Sequence, residues 1–171
     1  MTMAFEIERK FLLRGDPASR LGNEVGEHLR QGYLAIDQAV EVRVRIGSES
    51  AAVTVKAGRG VVRTEVEMPI AADEAEELWI HTMGRRIEKT RYRIDLAGAG
   101  LDRRADVAEV DIYHGSLAGL SVAEVEFASE SSAAGFVPPH WFGRELTGDD
   151  RWSNAQLARH GLPEEFINGS P

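Results

Sequence analysis

The sequence predicts an α+β fold, built on an antiparallel sheet with one charged face and one apolar face and with helices against the apolar side. Three observations carry this. Residues 41–46 (Glu41-Val42-Arg43-Val44-Arg45-Ile46) and 122–127 (Val122-Ala123-Glu124-Val125-Glu126-Phe127) alternate charged and apolar side chains with the period of a half-buried strand. Similar stretches recur along the chain, punctuated by Gly, Pro, Asp and Ser. Between residues 72 and 83 the period changes to that of a helix.

At 171 residues the chain suits one domain, 1–171, long enough to bury roughly two thirds of its unfolded surface. It has no cysteine, which excludes disulfides, thiolate nucleophiles and zinc–thiolate sites and fits a reducing cytoplasm. Its first residues lack a basic segment followed by an apolar run, and no window approaches 18 apolar residues. A soluble cytoplasmic protein without membrane contact is therefore expected. The formal charge of −8 argues against nucleic acid as a partner, which calls for a basic footprint. Local placement of charge matters more than the sum, because a cleft of one sign focuses its own field.

The first strand covers residues 5–13, with Glu6, Glu8 and Lys10 on one face and Phe5, Ile7, Phe11 and Leu13 on the other. Side chains two apart on a strand stand roughly 6.5 Å apart. Two carboxylates that close repel unless a cation lies between them, so Glu6 and Glu8 form half of a plausible site for a hard divalent ion. An isolated pair of this kind is equally the wet face of an edge strand. Gly15-Asp16-Pro17 is a turn, and Asp16 or Ser19 caps a short helix toward Glu27. Residues 29–36 form a second strand, followed by an Asp37-Gln38 connection.

Residues 41–46 and 52–56 form a hairpin around Gly47-Ser48-Glu49-Ser50, its polar face made cationic by Arg43, Arg45 and Lys56. Ala57-Gly58-Arg59-Gly60 reads as another turn and lacks the spacing of a phosphate-binding loop. Residues 63–69 present Arg63, Glu65 and Glu67 together until Pro69 ends the ladder. In the helix over 72–83, Asp73 and Glu76 resemble a capping box, and Leu78, Trp79 and Met83 form a core-facing stripe before Gly84. The strand over 85–96 puts Lys89, Arg91 and Arg93 on one face, and Gly98-Ala99-Gly100 turns the chain back. Asp111 lies on the polar face of residues 108–113, and Glu124 and Glu126 on that of residues 122–127. A short helix over 131–135, a break at Pro138-Pro139 and a last helix over 149–160 complete the chain. The five histidines have no metal-ligand spacing, and no GxSxG is present.

The polar faces carry eight cations and eight carboxylates, with Arg and Lys repeated at 43/45 and 89/91/93. A solvated sheet face also alternates, and its ion pairs are worth only about 0.2–1 kcal/mol each. Such a face mixes in Ser, Thr, Asn and Gln, however, whereas here nearly every polar-face position is charged. The cost of like charges on adjacent strands is tolerated more easily around a cavity in which metal ions meet the carboxylates and a polyanion meets the arginines. A phosphate-binding cavity and an ordinary wet face are both compatible with this pattern.

The opening Phe5-Glu6-Ile7-Glu8-Arg9-Lys10-Phe11, together with Leu29-Arg30-Gln31-Gly32-Tyr33-Leu34, residues 41–45, the Glu65/Glu67 strand, Glu88-Lys89-Thr90-Arg91-Tyr92 and Glu124-Val125-Glu126-Phe127, resembles the CYTH family, the triphosphate tunnel metalloenzymes. Within that family the sequence is most similar to the short bacterial inorganic triphosphatases. The resemblance implies a closed or nearly closed antiparallel barrel of about eight strands, a tunnel with a charged interior and helices outside. It implies Mg²⁺ or Mn²⁺ held by Glu6, Glu8, Asp111, Glu124 and Glu126, and a triphosphate gripped by Lys10, Arg43, Arg45, Lys56, Lys89 and Arg91. Glu65 and Glu67 match a further acidic pair that orients the cations or a water. The catalytic set is thus Glu6, Glu8, Lys10, Lys56, Glu65 and Glu67, with weaker claims for Arg63 and Arg93. Arg151-Trp152 departs from a common Arg-Tyr of the family and would lose a hydroxyl contact.

The implied reaction is metal-assisted hydrolysis of tripolyphosphate to diphosphate and phosphate, with a small-molecule polyphosphate as partner and a homodimer left open. Rival activities on the same scaffold are those of class IV adenylate cyclase, thiamine triphosphatase and nucleoside triphosphatase. These need contacts for a base, sugar or thiazolium, and Tyr33 and Tyr113 are the only aromatics noted on the polar faces. A rival of another class is a polyphosphate-binding module without catalysis.

Overall fold

The computed structural model of the chain describes residues 7–37, 39–59, 62–96 and 107–169. Its frame is one antiparallel sheet of nine strands: β1 (Ile7–Leu13), β2 (Glu27–Ile36), β3 (Val40–Ile46), β4 (Ala51–Arg59), β5 (Val62–Ile70), β6 (Arg86–Asp95), β7 (Val107–Tyr113), β8 (Ser121–Phe127) and β9 (Phe142–Glu145). Their spatial order is β5-β4-β3-β2-β6-β7-β8-β1-β9, so the first strand is inserted between β8 and the late β9. The sheet curls until Glu8 of β1 and Glu65 of β5 line the same cavity. It does not close strictly, because β5 and β9 remain its two ends.

Register puts the charges on the inner side. Cross-strand partners share a face, and Lys10 opposes Glu124, Arg91 opposes Asp111, Glu27 opposes Arg91, Gln31 opposes Arg45, and Lys56 opposes Glu65. The intervening residues pack outward in three apolar clusters. Phe11, Phe127, Phe136 and Phe142 form the largest aromatic group. Trp152, Leu117, Leu120 and Leu157 pack around Val122. Of the helices α1 (Ala18–Leu21), α2 (Ala72–Ile80) and α3 (Glu130–Gly135), α2 covers Val44, Ile46 and Ala51 with Ala75, Leu78 and Trp79. No helix among the described residues is long and apolar enough to cross a membrane.

Several local expectations change. The helix starting at residue 72 ends at Ile80, and Met83, expected in its core stripe, is 77% exposed in the turn that follows. Its N-cap is Ala71, whose N–H donates to Glu74 Oε2 at 2.9 Å, while Asp73 accepts from the Glu74 N–H. The ladder of β4 runs through Ala57 and Gly58, which pair with Thr64 and Arg63, so the turn begins later than expected. The single helix expected over 149–160 is split. A 3-10 turn at Asp150–Trp152 is followed by Ser153, whose hydroxyl accepts from Gln156 N and starts α4 (Asn154–His160). The strand β9 and the short α5 (Glu164–Ile167) were not anticipated. Gln38 and Gly60, the Gly98–Gly100 turn and Glu6 lie outside the described residues.

Candidate active site

The inner face of the sheet encloses a cavity of about 830 Å³. Ten of the expected site residues line it: Glu8, Arg43, Arg45, Lys56, Glu65, Glu67, Lys89, Arg91, Glu124 and Glu126. They come from six strands, because period-two alternation on every strand turns the same parity inward.

One wall is built by β3, β4 and β5. Arg45 Nη2 donates to both oxygens of Glu67 at 2.9 Å, and Thr54 Oγ1 donates to Glu67 Oε2 at 3.2 Å. Lys56 Nζ lies 2.8 Å from Glu65 Oε2, and Arg43 Nη2 lies 3.6 Å from Glu65 Oε1. Arg43 also interacts with the buried Tyr33, while its own buried Nε has no hydrogen-bond partner among the described residues. Glu65 and Glu67 therefore orient the cations of this wall.

The opposite wall is built by β6, β7, β8 and β1. Asp111 is fully buried and accepts from Lys89 Nζ, from Arg91 Nε at 2.7 Å and from Arg91 Nη2 at 2.7 Å. Arg91 also reaches Glu124 Oε2 at 3.1 Å and pairs with Glu109. Burial works against the charge on Arg91, but Asp111, Glu124 and Glu109 outweigh it and raise its pKa. Burial pulls Lys89 below the usual lysine range, against the attraction of Asp111. For Glu124 burial alone would raise the pKa, yet Lys10, Lys89 and Arg91 together hold it well below the ordinary carboxylate range.

Two expected residues stand behind this wall. Asp111 was expected among metal ligands, but both of its oxygens are occupied by Lys89 and Arg91 and it has no exposed surface. Lys10, expected to grip substrate, is 9% exposed, with Nζ donating to the Trp152 carbonyl at 2.9 Å and lying 3.0 Å from Glu124 Oε1. Trp152 is buried, and its Nε1 has no partner among the described residues.

Glu8 and Glu126 face each other across the β1/β8 ladder. Carboxylates in that position repel unless a cation lies between them. Glu126 has no ion pair among the described residues, although it lines the same cavity as Lys89, Arg91 and Arg93. Hard-oxygen donors of this kind fit Mg²⁺ or Mn²⁺, ions that take few protein ligands and share the rest with water and phosphate. Among the described residues no three acidic or histidine side chains converge enough to enclose a metal alone, and Glu6 is not one of those residues.

The sequence reading missed Glu109, Gln31, Asn154 and the Glu24-Val25-Gly26-Glu27 segment, all of which contribute to the cavity except Gly26. Glu109 shares its strand face with Asp111, so period-two counting could have found it. Gln31 is neutral and Asn154 lies at a helix start, and neither carries a charge signal.

A curled antiparallel sheet whose two walls each pair arginine and lysine with carboxylates around one cavity defines the class of site. Residues 4–146 match the CYTH domain, and the chain belongs to that family. It is 42% identical over 154 residues to an inorganic triphosphatase of Nitrosomonas europaea, covering 90% of this chain and 96% of the relative. It is 36% identical over 160 residues to an inorganic triphosphatase of Acetivibrio thermocellus, covering 92% and 96%. A crystal structure of the inorganic triphosphatase NE1496 superposes with a TM-score of 0.70 at 39% identity, covering 94% of this chain and 98% of that one.

Proposed function

We propose that this protein hydrolyses inorganic tripolyphosphate to diphosphate and orthophosphate with Mg²⁺ or Mn²⁺. The observation that carries this is a cavity whose opposite walls present Arg43, Arg45 and Lys56 against Lys89 and Arg91, with no aromatic side chain among its described lining residues. Guanidinium and ammonium groups suit phosphate oxygens. The lack of an aromatic platform favours an inorganic substrate over a nucleotide or a thiamine derivative. The names of the two curated relatives support the same substrate.

In this reading Arg43, Arg45 and Lys56 hold one part of the phosphate chain, with Glu65 and Glu67 fixing their orientation. Lys89 and Arg91, braced by Asp111, take the charge that develops on the departing diphosphate. Lys10 acts from behind by holding Glu124. Glu8 and Glu126, with Glu124 and Glu6, would hold the metal ion, which when bound supplies neutralising charge at the terminal phosphate oxygens. Water adds to the terminal phosphorus and the bridging oxygen leaves with the diphosphate. The cysteine-free composition supports a cytoplasmic setting.

The test is a product panel: phosphate, diphosphate and cyclic AMP measured from tripolyphosphate, ATP and thiamine triphosphate with Mg²⁺, Mn²⁺ or EDTA. Equal phosphate and diphosphate from tripolyphosphate, lost in EDTA, is expected. Glu126→Gln should demand at least about tenfold more Mg²⁺ for half-maximal rate. Cyclic AMP from ATP, or binding without turnover, would overturn the hydrolase reading.

A further inference from the structure

Asn154 belongs to no charged set, yet it lines the cavity as the first residue of α4, which lies against β2 and β6. Its side chain is half held. Tyr113 donates its hydroxyl to Asn154 Oδ1 at 2.6 Å, and Tyr113 is itself buried at 1% exposure. Asn154 Nδ2 has no hydrogen-bond partner among the described residues, and it is not among the buried polar atoms left unsatisfied there. The amide therefore keeps its two N–H donors toward accessible space while its oxygen is tied down.

Two cations stand beside the residues that position this amide. The Tyr113 ring lies 5.7 Å from Lys89 Nζ, and two residues before Asn154 the Trp152 carbonyl anchors Lys10. Burial raises the pKa of the Tyr113 phenol well above its ordinary value, with Asp111 adding to the effect, so the hydroxyl stays a donor at neutral pH. Ser153 caps the helix and buried Ala155 and Leu157 seat it, which fixes the amide from the backbone side as well. A neutral amide adds donors without adding charge to a wall that already buries Lys89 and Arg91.

We infer that Asn154 is a substrate-binding residue of this chain, its amide, set by Tyr113, donating to a phosphate oxygen of the bound tripolyphosphate. This rests on the hydrolase reading for its choice of ligand. Removing a hydrogen bond to a charged acceptor costs about tenfold or more in affinity.

The experiment combines calorimetric titration with tripolyphosphate in EDTA, phosphate release in Mg²⁺, and thermal melting of the wild type, Asn154→Ala, Asn154→Asp and Tyr113→Phe. Asn154→Ala should bind at least about tenfold more weakly, and kcat/KM should fall mainly through KM. Asn154→Asp keeps the oxygen that Tyr113 holds but turns the donors into an anionic oxygen, so it should bind more weakly still at an unchanged melting temperature. Tyr113→Phe, which frees the amide to rotate, should lie between the wild type and Asn154→Ala. In the wild type the Asn154 side-chain NH₂ resonances should shift as tripolyphosphate is added. Alanine and aspartate variants that bind within twofold of the wild type, or resonances that stay still at saturation, would overturn the assignment alone. A wild type that binds with the predicted variant order but never releases phosphate would support Asn154 and overturn the hydrolase reading. A wild type that neither binds nor cleaves tripolyphosphate would sink both.

Discussion

Glu124 shows how much the inner face depends on single residues. Its side chain is only 13% exposed and meets Lys10 at 3.0 Å and Arg91 at 3.1 Å. Burial works against its charge, but Lys10, Lys89 and Arg91 depress its pKa below the unfolded value of 4.5. A depressed carboxylate contributes stability that is fully present above the unfolded pKa and is lost as pH falls from there toward the folded value. Glu124→Gln should therefore lower stability at pH 7 by about 3 kcal/mol, the cost of leaving buried cations short of a counter-charge. Its stability should also change less than that of the wild type as pH falls below about 5. Denaturant melts at a series of pH values measure both, and parallel curves for the two proteins would show that Glu124 is not held by those cations.

At the scale of elements, the 3-10 turn and α4 matter because they carry the Trp152 carbonyl to Lys10 and the Asn154 amide to the cavity. Ser153 joins them, its Oγ accepting from Gln156 N at 3.2 Å. Ser153→Ala should cost about 1 kcal/mol and lower the melting temperature by about 2–4 °C, read by calorimetry. The strands themselves were legible, since the alternations in β1, β3, β5, β6 and β8 name their own inward residues. The last strand was not, because its four residues, Phe-Gly-Arg-Glu, include one large apolar side chain. It is held instead by tertiary contacts: Phe142 against Phe11, and Glu145 accepting from Arg9 Nε at 2.8 Å and Nη2 at 2.7 Å. The break in the last helix had a local signal that went unread, the Ser153-Asn154-Ala155-Gln156 capping pattern, in which Ser153 Oγ accepts from Gln156 N. Depth was also beyond alternation. Lys10 and Asp111 have the inward parity of their neighbours but sit behind the charges that reach the cavity.

For the whole molecule, an overall charge of −8 coexists with an interior that gathers arginine and lysine from both walls. The curl of the sheet makes this possible by bringing β3–β5 opposite β6–β8 and β1 around about 830 Å³. Outer faces keep the hydrocarbon and helices, so the same alternation that builds the core also loads the cavity with charge. The most direct measurement is diffraction from crystals grown with tripolyphosphate. The expected result is a phosphate chain between Arg43, Arg45 and Lys56 on one side and Lys89 and Arg91 on the other. Tripolyphosphate bound only to the outer surface, with this cavity filled by water, would contradict a substrate held inside the curled sheet.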